Sequence, residues 1–89
     1  MTDDRQSLVA ELHEQLEATA ERPVEREASR WLGEAEAVAA DAVHAPPDAT
    51  ALRLEQVEHL LSEVDETGDS KADEHVRRAR ELLERLGGR

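Results

Sequence analysis

Glu11, Glu14 and Glu17 in the stretch ELHEQLE are the first residues whose type and spacing fit a reaction. On a helix, steps of three keep carboxylates on one side, and converging carboxylates of this kind hold magnesium for phosphate chemistry. These three stand opposite the Leu8, Leu12 and Leu16 stripe, however, and a metal site built within helices must aim its acids inward. The next helical segment carries no second acidic motif, and the later Glu-x-x-Asp, Glu66 to Asp69, falls in a turn. A solvated acidic face is the expectation for Glu11, Glu14 and Glu17.

Four histidines, His13, His44, His59 and His75, come about one to a helical segment. A di-iron carboxylate bundle needs Glu-x-x-His on two helices and a carboxylate from each of the others. Only Asp41 to His44 has an acid-x-x-His spacing, and it sits at a helix end. Arg53 and His59, a pair of types able to bind phosphate and move a proton, point well apart around one helix. No Ser/His/Asp arrangement and no glycine-rich phosphate loop is present. The expectation is a protein that is not an enzyme, with no catalytic residue, metal, cofactor or evident small-molecule substrate.

The elements that would carry any site are helical throughout. Pro23, the pair Pro46-Pro47 and the stretch DETGDS at 65–70 divide the chain into four segments without an alternating strand pattern. Helices are expected over about 3–21, 24–43, 48–65 and 70–86. Asp3 and Gln6 are spaced as a capping box. Pro23 suits the first turn of the second helix, the alternative being a kink in one long helix. Gly68 suits the C′ position of the third helix, and Asp69 or Ser70 the cap of the fourth. Each segment has one apolar face: Leu8, Val9, Leu12, Leu16, Thr19 and Ala20 in the first, and Leu54, Val57, Leu60, Leu61 and Val64 in the third. The fourth carries Ala72, Val76, Ala79, Leu82, Leu83 and Leu86. The fold class is therefore all-α: one domain over 1–89, a four-helix bundle of antiparallel helices with short loops, with dimerisation as a way to complete or extend it.

Trp31 is the sole aromatic residue of the chain. It falls within the second helix's stripe of Val24, Ala28, Ala35, Val38, Ala39 and Ala42, where a large ring among alanines is expected as the peg of the core. The alternative is a handle for a partner, since Trp is a frequent interface anchor. Opposite it, Ser29, Gly33, Ala37 and Ala40 form a stripe of small residues. That stripe reads as solvent face, or as a place where another helix comes close. Leu52 lies off the apolar face of its helix, and either packs under the 44–48 connection or belongs to an interface.

Composition narrows the class further. There is no cysteine, hence no disulfide or thiolate metal site. The start MTDDRQSLVAELHEQ lacks a basic, then apolar, leader pattern, and no apolar run approaches the length of a bilayer span, so a cytoplasmic protein free of membranes is expected. Acids outnumber bases 22 to 11 for a net charge of −11, with one lysine among the bases. Such a surface disfavours nucleic acid and is tolerable in molar salt, where the screening length falls to about 3 Å. Residues 69–89 are the basic exception, with six bases against five acids and with Lys71, Arg78, Arg85 and Arg89 along one flank. Glu74–Arg78 and Glu81–Arg85 have the spacing of favourable i,i+4 pairs, which is an ordinary structural account of that flank.

EREASRWLGEAEAVAADAVH followed by DEHVRRARELLERL resembles small uncharacterised acidic all-helical domains of haloarchaea. The resemblance implies a halophilic setting and brings no activity with it. The expected role is a non-enzymatic helical interaction module that self-associates or docks on a partner protein. Its candidate interface residues are Trp31, Gly33, Ala37, Ala40, Leu52, Arg78 and Arg85. The alternative is an acidic inhibitor or antitoxin-like protein that covers a basic surface with the face bearing Glu11, Glu14 and Glu17.

Overall fold

A computed structural model describes residues 5–87, which form four helices: α1 Arg5–Thr19, α2 Arg26–His44, α3 Pro47–Leu61 and α4 Ser70–Gly87. They make a four-helix bundle in which α1 packs along α2 and α4, and α2 packs along α3. Contact between α3 and α4 is slighter, and the backbones of the diagonal pairs stay farther apart. The expected capping box lies outside the described residues, because it includes Asp3.

The helix faces read from periodicity supply most of the core. Val9, Leu12 and Leu16 from α1, Leu54, Val57 and Leu61 from α3, and Val76, Leu82 and Leu83 from α4 are all buried. Each such side chain contributes about 1.5–3 kcal/mol of transfer free energy when fully removed from water. The contribution of α2 is different in kind. Its buried residues are Ala28, Leu32, Ala35, Ala39 and Ala42. Small side chains there let α1 and α3 approach from either side, and the leucines of those helices fill the space. Leu32, 3 % exposed, occupies the place expected for the ring of Trp31, which is only half-buried at the rim. Ala20, expected in the core, is exposed beyond the end of α1.

Two helix ends differ from the sequence expectation. Pro23 stands in the connection, three residues before α2 begins at Arg26, and the backbone turns there with Val24 N–H donating to Arg22 O. At the same end of the bundle α3 stops at Leu61 rather than near residue 65. Its last turn closes through Glu63 N–H on Leu60 O at 3.1 Å and Val64 N–H on Leu61 O at 3.0 Å, and the Arg80 guanidinium donates as well to Leu61 O at 2.9 Å and to Val64 O at 2.7 Å. With those acceptors satisfied, the chain leaves the helix at Ser62 and still buries Val64. Gly68 is thus not the C′ residue of α3. It sits in the loop with φ +86°, where a Cβ would meet Glu25 Cγ at 2.9 Å.

That loop is tied to the α1–α2 corner. Glu25 N–H donates to Thr67 O at 2.7 Å, and Arg22 pairs with Asp69. Asp69 is the cap of α4, its carboxylate accepting from Ala72 N–H at 2.9 Å. The buried Thr67 hydroxyl accepts from Asp69 N–H and lies 2.8 Å from Asp73 Oδ1. The short α2–α3 connection is simpler: Pro46 precedes α3, Pro47 opens it, and buried Thr50 lies under the carbonyls of Ala42, Ala45 and Pro46.

Candidate interaction surface

Helical register puts Trp31, Glu34 and Val38 on one flank of α2, the flank that faces α3. Across from it, α3 presents Leu52, Arg53, Gln56, His59 and Leu60. Together these two helices line an open groove of about 560 Å³. Val38 and Leu60 are half-buried against the core, whereas Leu52 is 60 % exposed. Leu52 therefore does not pack under the 44–48 connection. Its side chain is the one large apolar group fully on the surface among the described residues.

Arg53 lies in the same groove, with Nε out of contact with solvent and without a hydrogen-bond partner. Charge type alone marked Arg53 for chemistry with His59, and the exposed His59 side chain makes no hydrogen bond among the described residues. An unsatisfied donor in the wall of a groove was not legible from sequence, since it depends on how α2 covers the arginine stem.

Trp31 stands at the end of this face near the α3–α4 loop. The ring lies beside a shallow acidic concavity lined by Glu25, Glu27, Glu63, Asp65 and Glu66. On its other side the Arg30 guanidinium sits 5.4 Å from the ring centroid, within the range of a cation–π contact.

The other candidate residues occupy two separate surfaces. Gly33, Ala37 and Ala40 lie on the outer flank of α2, away from Trp31, with Ala40 half-buried and the other two exposed. A Cβ on Gly33 would meet nothing within 4 Å, so no described neighbour approaches closely at Gly33. Arg78 and Arg85 lie exposed on α4 next to Glu11 of α1. The expected Glu81–Arg85 pair gives way to another arrangement, because Arg77 reaches both Glu81 at 2.6 Å and Glu74 at 2.7 Å. Glu74 is held below the usual carboxylate range by the Arg77 hydrogen bond and charge, with Arg78 adding a smaller effect at 3.6 Å.

The remaining groups singled out for chemistry are spread over the bundle. Glu11, Glu14 and Glu17 are exposed on the outside of α1. His75 Nδ1 meets Gln15 Oε1 at 2.8 Å, and His13 lies 3.9 Å from Glu36. Among the described residues no three acids or histidines converge in a way that would hold a metal ion, and no helix is long and apolar enough to cross a membrane.

Four antiparallel helices around one leucine–alanine core, with an open apolar groove on the α2–α3 face, define a small all-helical bundle domain. The chain belongs to the family described as Domain of unknown function (DUF8152), which matches residues 8–89. No curated protein and no solved structure matches it.

Proposed function

We propose that this chain is a non-enzymatic protein–protein interaction module of a halophilic cytoplasm, and that it docks through the α2–α3 face. The observation that carries this reading is Leu52. A leucine 60 % exposed beside Val38 and Leu60 gains apolar burial only if another surface covers it. The halophilic setting is supported by the net charge of −11 and the single lysine.

Tagged purification at molar salt tests the docking face. The wild-type chain should recover a stoichiometric companion or a second copy, and Leu52→Glu should lose it while its helical circular dichroism is unchanged. A strictly monomeric protein recovered alone would remove this reading. For the salt setting, the thermal midpoint should rise from dilute buffer to molar KCl; an unchanged midpoint would overturn it.

A second reading, an acidic inhibitor or antitoxin-like protein that covers a basic surface, has its own observation. Five carboxylates gather beside Trp31 at the α2–α3 end. Binding of that kind should weaken steeply with salt and fail when Glu63 and Glu66 are changed to Lys.

A further inference from the structure

The α2–α3 groove carries both signs of charge, and they are unused. Among the described residues Arg53 forms no ion pair, although the chain has twice as many acids as bases. Glu34 and Glu55 line the same groove and are likewise without an ion-pair partner there. The Arg53 Nε already lacks an acceptor, so a group that covers Leu52 is favoured when it brings an acceptor to the rest of the guanidinium. A basic partner, which the net charge would attract, brings a cation to that point instead.

The positions of these groups along the groove point to one occupant. Antiparallel α2 and α3 set Thr50 by Ala42 at one end, and Val64 with Ala28 at the other. Leu52 and Arg53 therefore lie toward the first end, and Glu34, His59 and Leu60 toward the second. A rotation of half a turn about an axis beside Gln56 exchanges the two ends. It sets Leu52 on the partner's Leu60, brings Arg53 opposite the partner's Glu34, and carries the rim of Trp31 toward the partner's Leu52. A twofold interface requires a patch that is its own complement, and a groove with an arginine toward one end, a glutamate toward the other and a leucine near each end has that pattern.

We propose that the occupant of the groove is a second copy of this chain, docked in this twofold register with Arg53 paired to the partner's Glu34. This rests on the reading of the α2–α3 face as a docking surface and names its partner. Two copies each at −11 repel at long range, and molar salt screens that repulsion while leaving contact burial in place. The dimer therefore tightens as salt rises, opposite to docking on a basic protein.

Sedimentation equilibrium in dilute buffer and in molar KCl tests this, with circular dichroism to verify each fold. The wild-type chain should dimerise more tightly in KCl, and Leu52→Glu should be monomeric. Arg53→Glu and Glu34→Arg should each weaken the dimer by about tenfold or more, and the double variant should regain most of the loss. A dimer that ignores all of these changes, or a double variant no better than the singles, would overturn the register and the proposal. A wild-type monomer that captures a different protein through Leu52 overturns the second copy and leaves the docking surface standing. A monomer without any Leu52-dependent partner overturns both.

Discussion

Arg22 and Asp69 are 47 residues apart in sequence and meet through two hydrogen bonds, Nε to Oδ2 at 2.9 Å and Nη2 to Oδ1 at 3.2 Å. This pair joins the α1–α2 corner to the capping residue that precedes α4. The same carboxylate caps the helix through Ala72 N–H, so one side chain holds both a helix end and a tertiary contact. Together with Glu25 N–H on Thr67 O, it closes one end of the bundle.

The pH dependence of stability follows from that carboxylate. Asp69 is held below the usual aspartate range, first by the Arg22 hydrogen bond, then by Ala72 N–H, with the Arg22 charge adding to both. A carboxyl lowered in the folded state contributes stability that is present above the unfolded-state value of about 3.9 and is lost as pH falls through the folded value. Asp69→Asn should therefore have a lower thermal midpoint at neutral pH and a shallower decline below about pH 4. Thermal melts of both proteins over that range check this, and superimposable acid profiles would contradict it.

Arg80 should matter through two carbonyls rather than through its charge. Arg80→Gln removes donors from Leu61 O and Val64 O, and should lower stability by about 1 kcal/mol. Arg85→Gln, on the same helix and exposed, should change it by less than about 0.5 kcal/mol. Urea midpoints at constant m-value measure both.

Leucines at two positions should behave differently. Leu12 is 0 % exposed and Leu52 is 60 % exposed. Leu12→Ala should lose about 2–5 kcal/mol, the range for emptying a packed core position. Leu52→Ala should leave the monomer's stability nearly unchanged, within about 0.5 kcal/mol. Denaturation at protein concentrations below any self-association gives the comparison.

Glycines separate in the same way. Gly33 lies inside α2 with open space around it, so Gly33→Ala should stabilise by up to about 1 kcal/mol. Gly68→Ala should destabilise instead, because its φ of +86° is strained for alanine and the new Cβ would press on Glu25. A destabilised Gly33→Ala would reveal a close contact on that stripe and would be visible as a lowered thermal midpoint.

By itself, the sequence determined four amphipathic helices and most of their buried faces, because a period of 3.6 residues is a local property. Leu12, Leu16, Val57, Leu61, Val76 and Ala79 were legible from spacing alone, and so was the cap of α4 near Asp69. Tertiary structure decided which of two adjacent residues, Trp31 or Leu32, entered the core. The two differ by one step around the helix, and in the packed bundle Leu32 takes the inward position while Trp31 stays at the rim. The end of α3 is also held from a distance, because Arg80 adds donors to Leu61 O and Val64 O beside the local bond from Val64 N–H to Leu61 O. The groove beside Leu52 and the unpaired Arg53 likewise exist only once α2 lies against α3. Periodicity says which way a side chain points along its own helix, and packing alone says what it meets there.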